Sequence, residues 1–317
     1  MTILKARLTH NKQEMTKGNK QEWSGKTAGT DWMHSASIGI VRVIPLPLVY
    51  TFVSVFVIPW CMLINRKGFS AIWFFMRKRM KYSWIKSFWM TYINHCRFAE
   101  IIIDRFYMYG GGKFKFDIPE SDIYKRYAQD DAGFVILSAH VGNYEIAGYE
   151  LVADKKKFNA LVYAKEAQVV MNNRQKLFVG NNLNMILIQD DMSHLFEINN
   201  ALARGESVSI PADRVFGSPR TVSVPFLGDK ADFPLGPFAI AVQRELPVLA
   251  IHVMKTGVYH YTLSIRELSQ GEGNMKQRAA HLAKEYAAHL ESVVKEHPEQ
   301  WFNYFDFFNG TEHSKNS

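Results

Sequence analysis

Cysteine is scarce in this chain. Two cysteines, Cys61 and Cys96, stand among 317 residues, in no metal-knuckle or redox spacing. That excludes a disulfide framework and fits a reducing compartment. Acidic residues are in deficit as well: 30 Asp and Glu face 38 Lys and Arg, for a formal net charge of +8. Such a balance calls for an anionic partner: a membrane surface, a nucleic acid or an acidic protein. No nucleic-acid motif accompanies the bases, so nucleic acid is not expected as the partner. No internal repeat is present. Apolar residues are not lacking, at 47% hydrophobic and 14% aromatic. Disorder is therefore excluded, and the length suits one large α/β domain with a smaller appendage.

Charge is missing altogether from Val43 to Ile64. That run is just long enough to span a bilayer. Pro45 and Pro47 lie where a helix start tolerates them, but Pro59 should kink or end the helix. Both flanks are basic (Arg42 before, Arg66 and Lys67 after), so loop charge gives no orientation. A segment lying in or dipping into the membrane explains both flanks better than a single span or a buried core helix. Residues 1–36 read as a polar, basic tail. No small-residue cleavage site follows the apolar run, so a secretory signal is not expected. Residues 37–65 form the membrane-associated segment. Residues 66–112 form a helical region rich in bases and aromatics (Trp73, Arg77, Lys78, Trp84, Phe88, Trp89), ending at Gly110-Gly111-Gly112. The spacing of Trp84, Phe88, Trp89, Tyr92, Ile93 and Cys96 predicts one helix. It suits a membrane interface or an ordinary core with solvated lysines.

From residue 113 to 317 the pattern alternates. Phe134–Ala139, Ala160–Tyr163, Met185–Ile188, Ser207–Pro211 and Val248–Val253 read as short buried strands. Tyr144–Ala153, about Ala167–Phe178, Ser193–Arg204 and Pro237–Arg244 read as helices. The expected class is α/β: a mainly parallel mixed sheet flanked by helices, behind an N-terminal membrane-associated helical region. Tyr261–Ile265 is expected as a late antiparallel strand. Met275, Ala279, Leu282, Tyr286, Leu290 and Val294 mark one helical stripe that Pro298 follows. The aromatic run from Pro298 to Phe305 should fold back on the domain, and the residues from Gly310 should fray.

His140-Val141-Gly142-Asn143-Tyr144-Glu145 sits where the first of these strands gives way to a helix. In a regular helix His140 and Glu145 would be about 140° apart, and in a strand they would point to opposite faces. They meet only across a sharp turn, which Gly142 and Asn143 tolerate. Glu145 would then accept a hydrogen bond from one imidazole nitrogen and leave the other as a base. A plain structural histidine is the competing reading. The carboxyl end of a parallel strand is where such folds place their sites. A second loop, Ser209 to Arg220, starts at another strand end. There Asp213 and Arg214 could pair, and Arg214 or Arg220 could hold a phosphate or an oxyanion. A loop salt bridge is the simpler alternative. Thr221 to Gly228 reads as an apolar strand-to-loop segment that could line a pocket. His34, His95, His252 and His260 have no ligand spacing, so no metal is expected.

The run His140-Val141-Gly142-Asn143-Tyr144-Glu145 resembles the His-x4-acid motif of the lysophospholipid acyltransferase superfamily. It is more closely similar to the late acyltransferases of lipid A biosynthesis, in which the acid is usually Glu. Ala212-Asp213-Arg214 with Arg220 and Val224-Pro225-Phe226 resembles their second block. Pro298-Glu299-Gln300-Trp301 resembles their C-terminal block, and the segment near Pro45 their membrane region. The resemblance covers about Ile38 to Phe308. It departs from the family at Asn303-Tyr304-Phe305-Asp306-Phe307-Phe308, where aromatic and basic residues are usual. It departs again at Ala164-Lys165, where an Arg is common.

The resemblance implies acyl transfer from a thioester, carried by acyl carrier protein, to a hydroxyl of a lipid A precursor. His140 would be the general base and Glu145 its orienting acid. Asn143, Lys165, Asp213, Arg214 and Arg220 would bind substrate or oxyanion. No cofactor is implied. The inner membrane, with the site on its cytoplasmic face, is the implied location. The departures leave open a glycerophospholipid, glycolipid or aminolipid acceptor. The basic-aromatic helices alone would also suit a non-catalytic protein that binds anionic lipid.

Overall fold

In a computed structural model of the chain, the described residues are 31–151, 156–163, 182–188, 193–215, 220–304 and 307–308. Four helical segments come first. Helix α1 (Asp31–Val43) begins inside the stretch expected as a tail. It is anchored by His34, whose ring lies edge-on to Phe106 at 5.3 Å. Helix α2 (Leu46–Ile64) carries the charge-free run. Pro59 does not end it. A wide turn over Val53–Val57 precedes the proline, and its i→i+5 bonding makes room for the ring and its missing N–H. Asn65 separates α2 from α3 (Arg66–Phe74), and its side-chain oxygen caps Gly68 N at 3.1 Å. A second wide turn, Phe75–Arg79, ends α3. Helix α4 (Trp84–Tyr109) starts at Ser83, whose side chain accepts from Lys86 N. It stops at the expected glycines.

The sheet follows. Its strands are β1 (Lys115–Asp117), β2 (Phe134–Ser138), β3 (Phe158–Tyr163), β4 (Leu183–Ile188), β5 (Ser207–Pro211), β8 (Val248–Lys255) and β9 (His260–Glu267). Their order across the sheet is β1-β9-β8-β2-β5-β3-β4. β8, β2, β5, β3 and β4 run parallel, and β9 returns antiparallel to β8, as expected. Every residue of β2 is buried. That is the mark of a central strand covered on both faces, and it explains an unbroken apolar run instead of alternation. Thr221–Phe226 (β6) is not a lone segment: it pairs with Asp229–Pro234 (β7) in a separate antiparallel hairpin. β1 and the helix α5 (Ser121–Gln129) escape the sequence reading. Three residues of strand carry too little pattern, and α5, though amphipathic, is short and polar overall.

Helices α6 (Tyr144–Glu150), α7 (His194–Ala203), α8 (Leu235–Gln243) and α9 (Met275–Glu296) cover the sheet. The stripe on α9 is buried with the face of β2 that carries Val135 and Leu137, and with Phe226, Phe233 and Trp301 of the hairpin and C-terminal run. The helix expected over Ala167–Phe178 lies outside the described residues, as do the tail before Asp31 and the chain after Phe308.

Candidate active site

His140 follows the central strand β2 by two residues, and Asp213 follows its neighbour β5 by two. Ser138 and Pro211 are register partners, so parallel pairing brings the two residues level at one end of the sheet. His140 Nδ1 lies 2.8 Å from Asp213 Oδ1, and the His140 backbone N–H donates to Asp213 Oδ2 at 2.9 Å. One carboxylate thus holds both the ring and the main chain. The His140 side chain is 18% exposed and that of Asp213 fully buried.

The turn that follows depends on glycine. Gly142 has φ +59°, and a Cβ there would meet Val253 O at 2.0 Å. Its N–H donates to Gln300 O (2.8 Å), and Asn143 N–H to Val253 O (2.7 Å). No other residue type has the φ and the clearance together. After the turn, Glu145 pairs with Arg105 of α4 at 2.6 Å. The expected Glu145 contact to an imidazole nitrogen therefore yields, at Nδ1, to Asp213. Asp213 stands 73 positions away, where the sequence suggests only a partner for Arg214 or for substrate. Arg105 is missed by the sequence reading altogether, because an arginine inside a helix with no motif around it gives no signal. With Met108, Tyr109, Asn143, Glu145 and Ile146 it lines a small cleft.

Asn143 is buried, and its amide donates to Tyr261 OH at 3.1 Å. Arg214 is held by the C-terminal run: Nε donates to Asn303 Oδ1 (3.0 Å) and Nη2 to Phe302 O (2.7 Å). Arg220 is exposed at the foot of β6, its carbonyl accepting Leu235 N–H at 3.1 Å. Lys165 lies outside the described residues. The Pro298–Gln300 turn and its continuation form the back of the site. Phe302 N donates to His140 O at 3.0 Å, and Asn94 of α4 donates to the carbonyls of Glu299 and Trp301 at 3.1 and 3.0 Å.

Burial pushes the His140 pKa below the ordinary imidazole value, and the Arg214 charge adds to this; Asp213 opposes both. Burial raises the Asp213 carboxyl, but His140 and Arg214 overcome it and hold it below the usual carboxylate range. A neutral imidazole beside a fixed carboxylate can take a proton and hold it as imidazolium. Among the described residues no three His, Cys, Asp or Glu side chains converge as metal ligands.

Fold and site together describe an α/β enzyme with a histidine–carboxylate pair at the carboxyl ends of adjacent strands. The chain belongs to the bacterial lipid A biosynthesis acyltransferases, whose family model matches residues 105–305; it is an acyltransferase. No curated protein matches it. The family match includes every candidate residue named above and the C-terminal turn behind them.

Proposed function

We propose that His140 is the general base that moves a fatty acyl chain from acyl carrier protein to a hydroxyl of a lipid A precursor. The observation that carries this is the His140–Asp213 pair within the family's matched region. Asp213 takes Nδ1, which leaves Nε2 for the acceptor hydroxyl. As that proton moves to Nε2, the hydroxyl oxygen attacks the thioester carbonyl. The carbonyl oxygen becomes an oxyanion. When it collapses, the C–S bond breaks, and His140 returns its proton to the leaving thiolate. The products are an ester and a free carrier thiol, with no enzyme nucleophile needed. Asp213 stabilises the imidazolium. Glu145, steadied by Arg105, adds negative charge beside the ring, and Arg214 places positive charge where the oxyanion or an acceptor phosphate would sit. Lys165 and Arg220 would bind the acceptor or the acidic donor, and the net charge of +8 suits both.

The reading continues to the membrane. Only 17% of the apolar window in α2 is buried, and Leu48, Phe52, Phe56, Trp60, Leu63 and Ile64 are exposed. Its other face is pinned along α4, through Tyr50 beside Ile103 and through Ile58 and Met62 beside Cys96. Since α4 carries Arg97, Glu100, Asp104 and Arg105, the pair cannot cross a bilayer together. This favours α2 lying along one leaflet, the cytoplasmic leaflet of the inner membrane, beside the site.

The test is mass-resolved product analysis with purified protein, acyl carrier thioesters and a lipid A precursor. Wild type should yield the acylated precursor. His140→Ala should lose about 10³-fold or more in kcat while its circular dichroism is unchanged. Near-normal turnover in that variant would overturn the base assignment. Transfer to a glycerophospholipid but not to the precursor would overturn the acceptor alone.

A further inference from the structure

Asp104 and Lys255 form an ion pair at 2.5 Å with side chains 0% and 1% exposed. Fully buried pairs of this kind are poor sources of stability, because the desolvation of both charges offsets their attraction. Their best use is geometric, and here the geometry leads to the site. The Asp104 carboxylate accepts from three groups: Tyr50 OH at one oxygen, and Tyr261 OH and Lys255 Nζ at the other. Lys255 Nζ also donates to Tyr50 OH (3.2 Å) and Val258 O (3.1 Å). The rings of Tyr50, Phe114 and Tyr261 surround it at 5.0–5.4 Å. Tyr261 OH, having donated to Asp104, accepts from Asn143 Nδ2 at 3.1 Å.

Four elements thus meet on one carboxylate. Tyr50 comes from the apolar α2 and Asp104 from α4. Lys255 and Tyr261 are register partners on β8 and β9. Asn143 lies between His140 and Glu145. The next residue of α4, Arg105, holds Glu145. The His140–Glu145 turn is therefore suspended from two consecutive residues of one helix, through Tyr261 and Asn143 on one side and Arg105 on the other.

We propose that the Asp104 cluster is a positioning device for acyl transfer. Tyr261 and Asp104 hold the turn that bears His140 in its reactive register, and Tyr50 ties that register to the seat of α2 in the lipid. The proposal rests on the reading of His140 as base. A displacement of about 1 Å at a reacting group costs on the order of 100-fold in rate, so a loosened turn should show in kcat and not in KM.

The experiment compares full-length Tyr261→Phe, Tyr50→Phe and the paired Asp104→Asn/Lys255→Met with wild type in lipid vesicles. Each is normalised to folded protein by circular dichroism. Tyr261→Phe keeps the ring and deletes only the hydroxyl. Its kcat should fall about 10- to 100-fold, with KM within about 2-fold and the acid limb of the pH profile retained, since His140 keeps Asp213. Tyr50→Phe should lower kcat in the same sense. Combined with Tyr261→Phe it should cost less than the product of the two, as members of one network do. The paired variant removes both buried charges together, and it decides the matter if Tyr261→Phe fails to fold. Wild-type kcat in folded Tyr261→Phe or in the paired variant overturns the proposal, as does a loss confined to KM. If His140→Ala is inactive while these variants run normally, the positioning role alone fails. If His140→Ala is active, the base reading fails first.

Discussion

As the proposed base, His140 would work only with its imidazole neutral, and burial and Arg214 both hold its pKa below the ordinary imidazole value. Activity should accordingly hold through neutral pH and fall only as pH drops through that lowered value. Asp213 is the group that limits the depression. Asp213→Asn removes its charge and leaves the hydrogen-bond geometry open to the wrong tautomer. We expect kcat to fall by about 10²- to 10⁴-fold and the acid limb of kcat/KM to move to still lower pH. A limb that stayed in place or moved upward would show that Asp213 does not act on His140 in the working enzyme. Gly142 completes the arrangement at this scale, since no side chain fits against Val253 O.

Among the elements, α2 is the one whose apolar surface the described residues leave largely uncovered. Its exposed aromatics and aliphatics continue onto α4 through Trp84, Ile85, Phe88 and Trp89, and Lys78, Lys81 and Lys86 stand near them in the chain. Apolar groups flanked by lysines suit the boundary between acyl chains and anionic headgroups. Phe56 and Trp60 are largely exposed, and Phe56 meets the equally exposed Phe52 ring at 5.3 Å, so replacing both with serine takes little from the core and the melting temperature should hardly move. Each lost ring is worth roughly 1.5–3 kcal/mol of burial. Vesicle partitioning in a flotation assay should therefore drop by a factor of ten or more per residue. Unchanged flotation would place the lipid contact elsewhere.

Over the whole molecule, acid should unfold the protein before it titrates most carboxylates. His252 and His289 lie ring to ring at 5.1 Å between β8 and α9. Neither ring nitrogen of His252 finds a partner among the described residues. Burial lowers their pKa values to about 3 and about 4. The unfolded chain binds these two protons near pH 6.5 and the folded chain does not, so stability is complete above 6.5 and declines as pH falls. At pH 5 the loss should reach about 2 kcal/mol for each group. Urea midpoints measured from pH 7 to pH 5 check this. His252→Leu should flatten the slope by about half, and an unaltered slope would assign the acid sensitivity to other groups.

Much of this was legible in the chain itself. β2, β5 and β8 are short apolar runs between turn residues, and burial on both faces of a parallel sheet produces just that pattern. The antiparallel return of β9 and the α9 stripe followed from spacing in the same way. So did the Gly142 turn, because few residue types permit it, and the ordered motifs carried the family. Local pattern could not reach further. Asp213 binds His140 only because β2 and β5 are neighbours in register, a fact of strand order and not of spacing. Arg105 and Asp104 reach the site because α4 lies across the end of the sheet, and Tyr50 because α2 lies along α4. Such contacts join residues 40 to 205 positions apart. Periodicity encodes which face of an element is buried, while the partner across that face is settled only when the elements pack. The sequence by itself determined the elements, the turn and the class of chemistry. The tertiary structure decided which carboxylate meets Nδ1 of His140, and which side chains the turn hangs from.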